Sequence, residues 1–137
     1  MNQRVRRLYT GGCHCGDVRF ELDGPLVPDD GDAILDCNCS ICRKKGFLHL
    51  IVRPARFRLL TPTSALSTYT FGTGVAQHTF CRRCGICGFY TPRSHPDHVD
   101  VNVRCLDDLD LEGLVVVPYD GGGDWERARA ALRAPAR

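Results

Sequence analysis

The cysteines are the feature that most constrains this chain: there are nine in 137 residues, and seven of them fall into closely spaced motifs. The motifs are C-x-C (Cys13, Cys15), C-x-C-x-x-C (Cys37, Cys39, Cys42) and C-x-x-C (Cys81, Cys84). An odd number of thiols cannot all form disulfides, and cysteines this close in sequence are poorly placed to bridge one another. Two thiolates from one tight turn can instead bind one ion, at about 2.3 Å from zinc. The spacing therefore predicts a zinc protein.

The composition indicates one soluble domain in a reducing compartment. A length of 137 residues fits a single core, and a formal charge of +2 gives no general case for binding nucleic acid or an anionic membrane. The basic residues near the N-terminus are not followed by an apolar run, so we expect no secretory signal. We therefore expect a cytoplasmic protein whose thiols stay reduced unless a metal binds them.

Short alternating apolar segments predict a mainly β architecture with the cysteine motifs in turns. Gly72-Thr73-Gly74 is typical of the turn of a β-hairpin, and residues 24–31 predict a surface loop. Strands are predicted at 17–23, 47–52, 57–59, 66–71, 75–80, 99–103 and 114–117. A short C-terminal helix is predicted from Asp124, with its apolar side chains at Trp125, Ala128 and Leu132.

The seven clustered cysteines exceed the four ligands of one structural zinc, so they must be divided. The simplest division is four plus three. Cys13, Cys15, Cys81 and Cys84 would form a closed structural site, and Cys37, Cys39 and Cys42 would leave one position of a second zinc exchangeable, as in catalytic sites. Two alternatives stay open: another partition of the thiols between zinc sites, and a redox C-x-x-C motif.

The remaining thiols and histidines give weaker signals. Cys87 is interpreted as a small buried thiol, and Cys105 could lie near the second metal or only end a strand. His49, inside an apolar strand, and His78, three residues before Cys81, are interpreted as hydrogen-bonded structural histidines rather than ligands. His14 is expected to point away from the metal, and His95 and His98 to lie in a loop. The basic residues Arg43, Lys44 and Lys45, directly after the second motif, are either solvated or near a substrate carboxylate.

The order of motifs along nearly the whole chain resembles a known family. The segments are GGCHCGDVRFEL, DCNCSICRKKGFLHLIV, TYTFGTGVAQHTFCRRCGICGFYTPRS and VNVRCLDD, followed by DGGGDWE. They resemble the glutathione-dependent formaldehyde-activating enzyme family, and especially its branch typified by centromere protein V. The resemblance implies a mainly β, zinc-stapled, β-tent-like single domain, here residues 8–132 with the short C-terminal helix. By the same resemblance, Cys13, Cys15, Cys81 and Cys84 match structural zinc ligands, and Cys37, Cys39 and Cys42 match the ligands of the zinc at which chemistry occurs.

The resemblance implies a carbon–sulfur lyase with two zinc ions, one structural and one catalytic. The reaction would be formation of S-(hydroxymethyl)glutathione from glutathione and formaldehyde, so the expected partner is a small-molecule thiol such as glutathione. Exposed strand edges leave a homodimer open. The alternative functions are a non-enzymatic zinc module that binds a protein partner, and a zinc-buffering or thiol-redox protein.

Overall fold

The fold is mainly β, in a computed structural model that describes residues 3–29 and 33–120. The strands form a three-stranded sheet (β1-β2-β5), a five-stranded sheet (β10-β3-β4-β9-β8) and a two-stranded sheet (β6-β7). Their bounds are β1 Leu8–Gly12, β2 Arg19–Asp23, β3 Ile34–Cys37, β4 Leu48–Val52, β5 Phe57–Leu59, β6 Leu66–Tyr69, β7 His78–Cys81, β8 Phe89–Tyr90, β9 Val99–Asn102 and β10 Val116–Tyr119; one α-helix, α1, covers Ser40–Lys45.

β4 is the central strand of the five-stranded sheet, and all five of its residues are buried. A strand covered on both faces has apolar residues at every position rather than at alternate ones, as in the predicted 47–52 segment. β4 pairs antiparallel with β3, with Leu35 opposite His49, and antiparallel with β9, with Ile51 opposite Asp100. β10 pairs parallel with β3 at the sheet edge. These pairings bring the second cysteine motif beside β4.

The three-stranded sheet packs Phe20 and Leu22 into the main core, whereas Val18, just before β2, packs with Cys13 and Cys81 in a smaller cluster. Val18, Phe20 and Leu22 are buried as their alternation predicts. The Phe20 ring contacts those of Phe57 and Phe89, at centroid distances of 5.2 and 5.9 Å. Gly11 in β1 lies over this ring, where a Cβ would come within 2.6 Å of the Cys105 carbonyl oxygen. β1 can therefore approach the core only because position 11 has no side chain.

The predicted hairpin around Gly72-Thr73-Gly74 is confirmed. β6 and β7 pair antiparallel, with Tyr69 opposite His78, and Gly72 and Gly74 have φ of 59° and 72°. Glycine adopts this left-handed conformation without the steric cost of a Cβ. The hairpin extends toward the second cysteine motif and ends, at Cys81, beside the first.

Several predictions differ from the structure. Residues 24–29 have no regular structure, but Leu26 is fully buried in the core, so this segment is not wholly at the surface. The last predicted strand begins at Val116 rather than at residue 114. α1, β1, β3 and β8 were not predicted, because they are short or contain glycine. The predicted C-terminal helix lies outside the described residues. Within residues 3–29 and 33–120, no helix is long and apolar enough to cross a membrane.

Candidate metal centres

The first cysteine group joins the end of β1 to the end of β7. The Sγ atoms of its four members lie within 4.8 Å of one another; they are Cys13, Cys15, Cys81 and Cys84. Cys15 Sγ is 3.6 Å from the Sγ atoms of both Cys13 and Cys81. Four sulfurs around a tetrahedral zinc, each bonded at about 2.3 Å, lie about 3.8 Å apart. The spacing of this group therefore fits a four-thiolate zinc site.

Backbone N–H groups donate hydrogen bonds to the sulfurs of the first group and so favour their thiolate form. The N–H groups of Arg83 and Cys84 each donate to Cys81 Sγ at 3.4 Å, and the Val18 N–H donates to Cys13 Sγ at 3.3 Å. Hydrogen bonds from the backbone, with that of Cys84 the largest contribution, lower the pKa of Cys81. A thiolate that is already stabilised costs less to deprotonate when a metal binds.

The second group forms where β3 turns into α1. Cys37 is the last residue of β3, and Cys39 caps α1, its Sγ accepting the Cys42 N–H at 3.4 Å. The Cys39 N–H donates to Cys37 Sγ at 3.5 Å. The C-x-C-x-x-C spacing thus places three thiols around the first turn of α1, which has only six residues. The sulfurs of Cys37 and Cys42 belong to a group of mutually close possible ligands, and that group does not include Cys39.

The three thiols of the second motif interact closely, so that ionisation of one changes the pKa of the others. Hydrogen bonds from Cys37 and Cys42 lower the pKa of Cys39, whereas contacts with its two sulfur neighbours, and burial, raise the pKa of Cys42. One thiolate shared among three thiols is the state that mutual repulsion favours. A divalent cation removes this repulsion, so the donor set fits a soft metal such as zinc.

His49 lies within the second group, although its sequence context suggested a structural histidine. A ring nitrogen of His49 and the Sγ atoms of Cys37 and Cys42 lie within 4.8 Å of one another. The ring is buried on β4, and Nδ1 is 2.6 Å from Asp100 Oδ2 on β9. It is therefore hydrogen-bonded, as predicted, and also adjacent to the thiols. Its nearness to Cys37 arises from the pairing of β3 with β4, which no local sequence signal reveals.

A pocket of about 340 Å³ opens beside the second group. One wall is a column of stacked rings: Phe71 on His78 at 5.4 Å between centroids, and His78 on Tyr90 at 4.6 Å. Burial, reinforced by the nearby Lys45 cation, lowers the pKa of His78 to about 4, so this imidazole is neutral at neutral pH. Other lining residues include Ile41, Ile51, Arg93, Ser94 and Tyr119. The pocket lining thus combines aromatic and aliphatic side chains, polar groups such as Arg93 and Ser94, and the three thiols.

Of the three basic residues after the second motif, Lys45 makes specific contacts. Its Nζ lies 3.2 Å from His78 Nδ1 and 3.4 Å from Cys87 Sγ, and it sits over the ring of Tyr90. Lys45 therefore contacts two of the three rings in the aromatic column, His78 and Tyr90. Arg43 and Lys44 are exposed on α1.

Among the described residues, the two cysteines outside the three motifs, Cys87 and Cys105, belong to neither group of possible ligands. Cys87, interpreted from the sequence as a small buried thiol, is only partly buried, and burial raises its pKa. Cys105 Sγ lies 3.8 Å from the Cys87 carbonyl oxygen and packs against the main core, and burial raises its pKa to about 11. In the same described ranges, neither group includes His14, His78, His95 or His98.

Comparison with known proteins agrees with this architecture. The model of the glutathione-dependent formaldehyde-activating enzyme family matches residues 8–115. The crystal structure of a structural-genomics target protein from Rhodobacter sphaeroides superposes with a TM-score of 0.66. It is 35% identical in sequence, and the match covers 78% of this chain and 97% of that one.

The fold and the two cysteine-rich groups define a small, mainly β domain with two candidate metal centres. This chain belongs to the glutathione-dependent formaldehyde-activating enzyme family. Its closer relationship to the centromere protein V branch stays a prediction.

Proposed function

We propose that the protein is a zinc-dependent carbon–sulfur lyase that forms S-(hydroxymethyl)glutathione from glutathione and formaldehyde. The observation that carries this proposal is the lining of the pocket, which includes Cys37, Cys39 and Cys42, in a chain of the formaldehyde-activating family. A thiol that enters the pocket would reach the second metal group with its sulfur.

Cys37, Cys39 and Cys42 would hold the working zinc, and Cys13, Cys15, Cys81 and Cys84 would hold the structural one. Zinc in the second group would stabilise the substrate as a thiolate and polarise an aldehyde oxygen as a Lewis acid. A free thiol has a pKa near 8.5 and is mostly protonated at neutral pH, so this stabilisation increases the reactive form.

The walls of the pocket would hold the rest of the thiol. The Phe71–His78–Tyr90 column offers a flat apolar surface for the peptide chain and limits the access of water. Arg93 brings positive charge to the pocket lining, where it would attract a glutathione carboxylate. His78 is neutral at neutral pH and would not repel the ammonium group of the ligand.

The test is the rate at which formaldehyde and glutathione equilibrate with their adduct, followed by exchange NMR at neutral pH. We expect acceleration by the wild-type protein and its loss in Cys39→Ser. Cys87→Ser is the matched control, because it also removes one thiol but from neither metal group, and it should keep the activity. Repeating the assay with cysteine in place of glutathione measures the preference for the peptide. No acceleration by zinc-loaded wild-type protein would contradict the proposal.

The alternative, a non-enzymatic zinc module, has one observation in its favour. Tyr69, Phe71 and Val75 expose apolar side chains at the tip of the β6–β7 hairpin. Exposed apolar side chains grouped on one element are typical of protein interaction sites. A protein that held two zinc ions but left the equilibration rate unchanged would favour this function.

A further inference from the structure

The second metal group contains a buried nitrogen with no hydrogen-bond partner. His49 Nε2 is inaccessible to solvent, and within residues 3–29 and 33–120 it makes no hydrogen bond. A buried polar atom without a partner costs free energy, so it calls for a physical explanation. A ring nitrogen of His49 lies within 4.8 Å of the Sγ atoms of Cys37 and Cys42. A metal ion bound by these thiols would give Nε2 the partner that it lacks.

The other ring nitrogen determines which tautomer is present. Nδ1 of His49 is 2.6 Å from the Asp100 carboxylate, and a carboxylate can only accept a hydrogen bond. Nδ1 therefore carries the proton, and Nε2 presents its lone pair. The Tyr90 hydroxyl, 3.4 Å from Nδ1, lies on this same side of the ring. Metal-binding histidines commonly donate their second N–H to a carboxylate, which fixes the tautomer and the ring orientation.

Asp100 supplies an independent indication of positive charge. Its side chain is 1% exposed, and Oδ1 has no hydrogen-bond partner among the described residues. A carboxylate buried with one oxygen unpartnered is costly unless a positive charge lies nearby. Lys45, the cation next to the pocket wall, contacts His78 and Cys87 instead. Arg93 lies in the lining of the same pocket as Asp100. A metal ion on the far side of the His49 ring would add positive charge on the side that faces the thiols.

We propose that His49 Nε2 is the fourth protein ligand of the second metal, with Cys37, Cys39 and Cys42, and that Asp100 is its positioning residue. The inference rests on the proposal that this group holds zinc, but not on the identity of the thiol. The donor set would be three sulfurs and one nitrogen, whereas the first group has four sulfurs. In the resting protein the fourth position is then taken by a side chain rather than by water. An incoming thiol has to compete with that nitrogen.

Direct ligation can be measured with cadmium as the probe. Protein labelled with ¹⁵N at histidine and loaded with two ¹¹³Cd ions should give two cadmium resonances. We expect the signal of the second site to be split by scalar coupling to one imidazole nitrogen, and the signal of the four-cysteine site to lack this splitting. A wild-type spectrum with two bound ions and no coupling to nitrogen would overturn the proposal, even if no variant were made.

Variants test the two roles separately. His49→Ala should abolish the splitting without moving the four-cysteine signal, whereas His78→Gln, at a buried histidine outside both groups, should leave the splitting unchanged. Asp100→Asn should keep the splitting but weaken zinc binding at the second site by about 10- to 100-fold in competition with a chelator. Unchanged affinity in Asp100→Asn would show that it does not position the ligand. Coupling in a protein that fails the equilibration assay would support ligation and contradict only the lyase function.

Discussion

Cys15 and Cys81 are 66 positions apart in the sequence, yet their Sγ atoms lie 3.6 Å apart. The first cysteine group thereby connects the segment after β1 to the end of β7, two parts of the chain in different sheets. Its packing neighbours include Val18, Leu59 and Leu66, which form a separate small apolar cluster. In such a small cluster, a metal that cross-links remote segments contributes directly to folding.

The first prediction concerns this cross-link. Cys81 is fully buried, and Cys81→Ser should release one zinc and lower the free energy of unfolding by several kcal/mol, on the order expected for losing a structural metal. Cys39→Ser should also lose one zinc but keep a melting temperature close to that of the wild type. Zinc content and thermal unfolding of both variants are the measurements. If the two proteins melted alike, the division into a structural and a working site would be wrong.

The second prediction concerns the ease of metal removal. We expect two zinc ions per chain in protein purified without added metal, with one lost on mild chelation. The labile ion should come from the second group, because that group opens onto the pocket. In Cys39→Ser, the remaining zinc should therefore resist the same treatment. Loss of both ions at equal rates from the wild type would contradict this difference.

The third prediction concerns the aromatic wall of the pocket. Phe71 is about half exposed and stacks on His78, so Phe71→Ala should change stability by less than about 1 kcal/mol. It should raise KM for the thiol with little effect on kcat, because the ring would contact substrate away from the reacting atoms. Val75→Ala is the matched control, on the same hairpin but outside the pocket lining. Equal KM values in both variants would exclude a binding role for Phe71.

The fourth prediction concerns the close approach of β1 to the core. Gly11→Ala would place a Cβ 2.6 Å from the Cys105 carbonyl oxygen and 2.9 Å from the Phe20 ring. Because backbone cannot yield as a flexible side chain can, we expect a loss of about 1–3 kcal/mol in the free energy of unfolding. Thr68→Ala, at an exposed position of β6, should be nearly neutral. Denaturant unfolding of both variants measures the difference, and a Gly11→Ala protein as stable as the wild type would show that β1 can shift outward.

The parts of the structure that follow local rules could be predicted from the sequence. The alternation of Val18, Phe20 and Leu22, and the glycines around Thr73, predicted β2 and the β6–β7 hairpin because period and turn chemistry are local properties. The spacing of the cysteines suggested a four-plus-three division; the ligand atoms of Cys13, Cys15, Cys81 and Cys84 lie together, whereas those of Cys37 and Cys42 lie together with a nitrogen of His49. The position of His49 beside the thiols was not predictable in this way, since its distance from Cys37 depends on strand pairing and its partner Asp100 lies 51 positions along the chain. The six residues of α1 are too few to produce a helical period.

The fifth prediction concerns the pH dependence of stability through His78. Its pKa falls from 6.5 to about 4 in the folded protein, through burial and then the Lys45 charge. Between these values the unfolded chain binds more protons than the folded one, so His78 makes stability decrease as pH falls from about 6.5 to about 4. His78→Phe should remove this contribution, because phenylalanine does not titrate and can stack in the same column. Lys45→Met should raise the pKa of His78, which NMR titration of the ring protons would measure. The pH profile of the melting temperature should therefore be shallower in His78→Phe than in the wild type; parallel profiles would mean that the His78 ring is not held neutral in the folded protein.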